Sequence, residues 1–232
     1  MCVYNAKGLN LNNNSIALNF TDVIYKFNQM KIICVGRNYA EHVKELGNQQ
    51  NSEPVVFLKP DTAIPQKDMP FFYPGFSNDV HHEIEVVIKI NRVGKNIAPK
   101  FANTYYDEVT VGIDFTARDL QAELKSKGLP WEISKGFDGS AIVGSFVSKS
   151  QLPALNNLEF RLLKNSMLVQ HGHTSMMLFD VDTIIAYVSK FYTLKKGDLI
   201  FTGTPAGVGP VQIGDVLEGY LMDRKLLSVC IK

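Results

Sequence analysis

The chain is predicted to adopt a mixed, β-rich α+β fold with a few short helices laid against its sheets. Three observations carry that expectation. Short apolar runs rich in β-branched residues recur at 31–35, 55–58, 84–90 and 109–113, each bounded by turn-forming residues. A Gly-Asp turn feeding an apolar strand that stops at a glycine occurs twice near the C-terminus, at 196–203 and 213–219. Strands and helices do not alternate regularly enough for a doubly wound parallel sheet.

In chain order, residues 1–30, with Asn12-Asn13-Asn14 at their centre, read as a hairpin or irregular strands, an N-terminal extension packed on one catalytic domain at 31–232. Residues 31–35 form a buried strand running into Gly36-Arg37-Asn38-Tyr39, and 40–46 a short helix closed by Gly47. Residues 55–58 form a second strand before the turn string Lys59-Pro60-Asp61-Thr62. The strand at 81–90 follows, then a loop at 96–105 and a strand at 109–113 ending at Asp114. Thr116-Ala117-Arg118-Asp119 has the form of a capping box for a helix with Ala117, Leu120 and Leu124 on one face and Arg118, Gln121 and Lys125 on another. Gly128-Leu129-Pro130 ends it, and helical spacing returns at 182–192.

Composition narrows the function. The 232 residues are 45% hydrophobic, enough for a proper core, and no linker or low-complexity tract divides them. Lys and Arg number 24 against 23 Asp and Glu and are dispersed, so there is no footprint for nucleic acid or an anionic membrane. Cys2, Cys34 and Cys230 are far apart and odd in number, which predicts free buried thiols in a reducing compartment rather than a disulfide framework. No apolar stretch approaches the ~20 residues of a membrane span. A cytoplasmic protein is the expectation.

The most informative stretch is His81-His82-Glu83-Ile84-Glu85 and its apolar continuation. On a strand Glu83 and Glu85 point one way while Ile84, Val86, Ile88 and Ile90 point the other. Two adjacent carboxylates repel unless water screens them or a cation bridges them, so the pair is either a site for a hard divalent ion or the wet half of an amphipathic strand. His42 and Glu45, three apart on the first helix, can hydrogen-bond, and a carboxylate beside an imidazole makes a general base. Asp114 at a strand end reads as a pocket or turn residue. Lys135, in a glycine-containing loop, reads as a cation for a developing anion or an exposed lysine. Residues 203–210 are glycine-rich but lack the Gly-Lys-Ser/Thr ending and the helix of a phosphate loop, so a loop gripping a small carboxylate, with the Thr204 hydroxyl as donor, or a tight turn is expected instead. His171-Gly172-His173 reads as a loop pair. There is no Gly-x-Ser-x-Gly elbow and no dinucleotide fingerprint.

Six ordered segments together fit a known pattern: Val-Gly-Arg-Asn-Tyr-Ala-Glu-His (35–42), Phe-Leu-Lys-Pro (57–60), His-His-Glu-Ile-Glu (81–85), Gly-Ile-Asp-Phe-Thr-Ala-Arg-Asp (112–119), Lys-Gly-Leu-Pro-Trp (127–131) and Thr-Gly-Thr-Pro-Ala-Gly-Val-Gly (202–209). Over 31–232 the chain resembles the fumarylacetoacetate hydrolase family, in particular its short branch of acylpyruvate hydrolases and oxaloacetate-processing enzymes. The resemblance implies a β-sandwich roll and a homodimer. It implies Mg2+ or Mn2+ on Glu83, Glu85 and Asp114, a His42–Glu45 dyad, and Lys135 as the charge-stabilising cation. It also implies substrate contacts from Arg37, Gln121, Gly203 and Thr204. The reaction it implies is hydrolysis of the carbon-carbon bond of a 3-acylpyruvate, a small 2-oxo acid. Oxaloacetate decarboxylation or enol/keto tautomerisation is the alternative. Chemistry on longer unsaturated dioic acids would need a second anion site, for which the sequence shows no basic cluster. Two features depart from the branch: residues 171–174 lack its Gly-Glu-Thr string, and 1–30 have no counterpart.

Overall fold

The computed structural model describes residues 30–45, 47, 51–66 and 69–232. The expected N-terminal extension, Met30 apart, and Leu46 at the end of the first predicted helix lie outside the described residues. In chain order come β1 (Ile32–Gly36), α1 (Ala40–Glu45), β2 (Val55–Lys59), β3 (Val80–His82), β4 (Ile84–Ile90), α2 (Pro99–Ala102) and β5 (Tyr106–Asp114). Next are β6 (Thr116–Ala117), α3 (Arg118–Ser126), α4 (Glu132–Lys135), β7 (Ala141–Val143), β8 (Val147–Ser148), β9 (Glu159–Lys164) and β10 (Met167–His173). The chain closes with α5 (Val181–Phe191), β11 (Leu199–Phe201), β12 (Gly209–Pro210), β13 (Val216–Leu221) and β14 (Arg224–Cys230).

These strands make three sheets. The central one runs β2-β1-β11-β4-β5-β7, with β8 on β5; the second runs β10-β9-β13-β14, and a small third is β12-β3-β6. Among the named strands of the described residues only β1 and β11 pair in parallel, as the absence of strand–helix alternation predicts. Both faces of the central sheet are covered. Ile84, Val86 and Ile88 of β4 and Val109, Val111 and Ile113 of β5 pack with Phe160, Leu162, Leu217 and Leu227 of the second sheet and with Ile184 and Val188 of α5. On the opposite face Ile32, Cys34, Phe57, Val87, Leu199 and Phe201 form a smaller cluster. A strand covered on both sides has no reason to alternate, and residues 109–114 of β5 are all buried.

The two Gly-Asp turns repeat one device. Asp198 accepts from the Lys195 N–H at 2.7 Å and Asp215 from the Gln212 N–H at 2.8 Å, while Gly197 and Gly214 take φ of +95° and +98°. The second strand does not stop at glycine, however. Gly219 lies inside β13 at a register shift, where a Cβ would meet Ile84 and Val111 at 3.1 Å.

Other expectations are corrected. The single strand at 81–90 is broken at Glu83, because β3 leaves the main sheet to pair with β6 and β12. The capping box does not form: Thr116 is held in β6 opposite His81, and Asp119 instead accepts from the Ser77 hydroxyl and the Asn78 and Leu120 N–H groups. The loop at 96–105 contains α2. His171 and His173 end a strand rather than sit in a loop, since 159–173 is a hairpin turned by Asn165 and Ser166, both at positive φ. Cys34 and Cys230 are both free thiols, but Cys230 is exposed because it falls on the outward alternation of β14. No helix among the described residues is long and apolar enough to cross a membrane.

Gly112 packs in the middle of β5, where a Cβ would lie 2.7 Å from Phe201 and 2.8 Å from Val87 and the Ile142 carbonyl. Gly112→Ala is expected to lower unfolding free energy by about 1–3 kcal/mol through overpacking, read as a lower denaturant midpoint at unchanged slope.

Candidate active site

The β4–β5 ladder pairs Glu85 with Gly112 and Ile84 with Ile113, and the Asp114 N–H donates to the Glu83 carbonyl at 2.9 Å. This register brings three carboxylates together although Asp114 lies 29 and 31 positions beyond Glu85 and Glu83 in sequence. Oxygens of Glu83, Glu85 and Asp114 lie within 4.8 Å of one another. Their side chains are not the wet half of a strand: the residues are 5%, 2% and 0% exposed.

Burying three carboxylates is costly unless cations accompany them. Lys135 Nζ stands 2.8 Å from both Glu83 Oε2 and Asp114 Oδ2. Lys59 Nζ is 2.7 Å from Asp114 Oδ1, close as an ion pair but without hydrogen-bond alignment to that oxygen. Arg118 donates to Glu83 Oε1 and, at 2.7 Å, to Gln121 Oε1. Burial opposes the charge on Glu83, but Lys135, Arg118 and His42 outweigh it and hold the carboxyl well below the ordinary carboxylate range. Glu85 goes the other way: burial, then Asp114 and Glu83, push it up against the Gly203 N–H that donates to it at 2.7 Å. For Lys135 burial is overcome by Asp114 and Glu83, which raise its pKa.

Lys135 is therefore not an exposed loop lysine. It ends α4, and that helical turn inserts it between the carboxylates. Lys59, read only as part of a turn, is fully buried and also donates to the carbonyl of Lys135 and, at 3.0 Å each, to the Ser140 carbonyl and hydroxyl. Its signal was parity, since on β2 it shares the inward face with Phe57.

His42, buried on α1, has Nδ1 3.2 Å from Glu45 Oε2, the geometry expected of the pair. Glu45 Oε1 also accepts from the Gly207 N–H at 3.1 Å, joining α1 to the glycine-rich loop. Asn38 pins the entry to α1 through Phe179 and Thr202, at 2.7–2.9 Å. Gly203, at φ +101°, has no room for a Cβ, which would lie 2.7 Å from Asn38. Its N–H is directed to Glu85, and the Thr204 hydroxyl donates to the Ile84 carbonyl at 2.8 Å. These two of the four expected substrate contacts thus hold the carboxylate strand in this structure. Gln170, missed in the sequence, anchors the same corner by accepting from the Ile84 N–H and donating to Thr204 Oγ1.

One small pocket gathers Arg37, His42, the three carboxylates, Arg118, Gln121, Thr204 and Lys135, together with Lys125 and Trp131. The sequence suggested no basic cluster, yet Arg37 from the end of β1 and Arg118 and Lys125 from α3 all line this pocket. The donor set fits a hard divalent cation: three buried carboxylates with oxygens within 4.8 Å of one another, one of them, Asp114 Oδ1, lacking an aligned donor.

Lys59→Met would leave Asp114 short of a buried counter-charge. It is expected to cost about 3–5 kcal/mol of stability, measured by denaturant unfolding in the presence of a chelator.

Comparison with known proteins agrees with this geometry. A family model described as "Fumarylacetoacetate (FAA) hydrolase C-terminal" matches residues 31–230. The chain is 46% identical over 187 residues to the mitochondrial oxaloacetate tautomerase of Mus musculus, covering 81% of this chain and 85% of that protein. It is 45% identical over 189 residues to the mitochondrial oxaloacetate decarboxylase of Dictyostelium discoideum, covering 81% and 87%. A crystal structure of fumarylpyruvate hydrolase from Pseudomonas aeruginosa, in complex with Mn2+ and pyruvate, superposes with a TM-score of 0.81 at 34% identity, covering 88% of this chain and 89% of that one. With sequence, sheet topology and buried carboxylates all in agreement, the chain belongs to the fumarylacetoacetate hydrolase family.

Proposed function

We propose that this chain is a divalent-metal-dependent enzyme acting on a small 2-oxo acid, and that its reaction is enol/keto tautomerisation of oxaloacetate. The observation that carries the reading is the shared pocket in which the His42–Glu45 base faces the Glu83–Glu85–Asp114 cluster. The oxaloacetate-acting relatives at 45–46% identity support that substrate.

Glu83, Glu85 and Asp114 would hold Mg2+ or Mn2+, which when bound polarises a 2-oxo group and acidifies the neighbouring CH2. Glu45 fixes Nδ1 of His42, leaving Nε2 as the base that takes a proton from C3 of the keto form. Lys135 offers an ammonium beside the carboxylates to balance charge on the enolate oxygen, which takes up the proton that the His42 imidazolium gives back, completing the tautomer and restoring the neutral imidazole. No water attacks and no carbon-carbon bond breaks. Thr204, Gln170 and Gly203 keep the carboxylate strand in register while the proton moves.

A second reading is hydrolysis of a 3-acylpyruvate, with His42 activating water and Lys135 meeting the oxyanion. The likeness to a fumarylpyruvate hydrolase supports it.

The test is to follow the oxaloacetate enol absorbance, CO2 release and acetylpyruvate cleavage with Mg2+ or Mn2+, with and without EDTA. Metal-dependent loss of the enol signal without CO2 is the expected result. Pyruvate and acetate from acetylpyruvate would instead establish the hydrolase, and CO2 release the decarboxylase. His42→Ala is expected to slow tautomerisation roughly 10²–10⁴-fold through loss of general-base catalysis; an unchanged rate would remove the dyad from the mechanism.

The raised pKa of Glu85 has a sign consequence. Below its folded value the carboxyl holds a proton that a cation must displace, and above it the site gains a negative charge. Mn2+ affinity is therefore expected to rise with pH, with proton release on binding, measured by titration calorimetry in buffers of different ionisation enthalpy.

A further inference from the structure

The two histidines of segment 171–173 take no part in the proposed reaction. Of the five histidines in the chain, His42 and His82 are buried and His81 is bonded to Asp79. His171 and His173 stand apart on the outward face of β10, because Gln170 and Gly172 take the inward positions. The neighbouring strand adds to that face. In the β9–β10 ladder Glu159 lies opposite His173, and Arg161 opposite His171. One hairpin thus presents two imidazoles, set about 7 Å apart by the rise of the strand, with a carboxylate directly across from one of them.

Each group has a ligand atom to offer. The His171 and Glu159 side chains are 51% and 46% exposed, so an ion can reach them, and Nε2 lies 2.8 Å from Oε1. Two ligands of one tetrahedral zinc stand about 3.3 Å apart for bonds of about 2.0–2.2 Å, so an ion fits between this pair after a small side-chain adjustment. His173 spends Nδ1 locally, 2.7 Å from Ser175 Oγ, which leaves Nε2 as its ligand atom and Ser175 as the outer partner that orients the ring. The hydrogen bond from His171 is the main cause that holds the Glu159 carboxyl below the ordinary carboxylate range. Arg161, the cation on this face, is engaged elsewhere: its guanidinium carbon lies 4.6 Å over the Tyr220 ring centroid, and Nη1 donates to the Met222 carbonyl at 2.9 Å.

We propose that His171, His173 and Glu159 form a second metal site, for an imidazole-preferring divalent ion such as Zn2+, separate from the carboxylate pocket. Two ring nitrogens and one carboxylate are a donor set for a borderline ion, whereas the all-oxygen set of Glu83, Glu85 and Asp114 suits a hard one. Closing the site takes rotation of three outward side chains and no movement of the backbone, with water in the fourth position. The ion replaces the N–H that His171 donates to Glu159, and the neutral ring then keeps its hydrogen on Nδ1. Bound there, it joins β9 to β10 on the face opposite Gln170, which accepts from the Ile84 N–H, and so braces the hairpin that supports the carboxylate strand. The donors come from the segment that departs from the Gly-Glu-Thr string, and the site does not depend on which reaction the pocket performs.

The experiment titrates Zn2+ into the full chain in excess Mg2+, followed by calorimetry and by the NMR signals of the histidine ring Cε1–H groups. One equivalent of Zn2+ at micromolar concentration is expected to shift the His171 and His173 signals together. His171→Gln and His173→Gln are each expected to weaken that event by at least the roughly 10–100-fold that loss of an outer partner costs a metal site. Both alter outward side chains; Glu159→Gln, expected to weaken binding as well, gives the same comparison should either fail to fold. Zn2+ that shifts His42 alone has entered the carboxylate pocket, and that result overturns the second site. So does an affinity that the substitutions leave unchanged, or the absence of any shift at His171 and His173 at millimolar Zn2+.

Discussion

Much of this structure follows from the need to bury three carboxylates beside one another. Carboxylates in a low-dielectric interior repel strongly, and the chain answers with cations drawn from separate elements: Lys59 from β2, Lys135 from α4 and Arg118 from α3. Each cation fixes the element that carries it. The four-residue α4 is too short to be stable on its own; Lys135 ties it to the β4–β5 ladder, and Lys59 binds the carbonyl at its end. The electrostatics of the site and the packing of its surrounding helices are one problem solved together.

The sheets supply the rigidity that this arrangement needs. Because both faces of β4 and β5 are covered, the register that sets Glu85 opposite Gly112 cannot slip without moving a whole apolar face into the wrong layer. The glycine-rich loop after β11 is held to that frame at Glu85, Ile84 and Glu45. It thereby connects the carboxylates on the sheet with the imidazole on α1. The site is built on strands where it holds the carboxylates and on a short helix and loop where it holds the imidazole and its partner.

Local chemistry was legible in the sequence, and long-range convergence was less so. The spacing of Glu83 and Glu85, the i,i+3 relation of His42 and Glu45, and the paired Gly-Asp turns are short-range relations, and each has the geometry expected of it. Burial of the carboxylates was not readable from alternation alone, because an inward charged face and a wet one have the same period. Lys59 was hidden by the turn residues that follow it. The gathering of Arg37 with Arg118 and Lys125 joins residues more than 80 positions apart in one pocket, a tertiary relation with no local signal. The hairpin at 159–173 carries weak propensity on its polar face, and its Asn-Ser turn was the cue available.

Lys135 occupies the space between Glu83 and Asp114 with an ammonium tethered by the polypeptide itself. A site furnished with its own counter-ion separates two events that many small metal domains must perform at once, acquiring the fold and acquiring the ion. The charge that the fold itself requires is thus supplied in part from within the polypeptide. Positive charge at the carboxylates is therefore a built-in part of the chain, fixed in place by the turn that carries it.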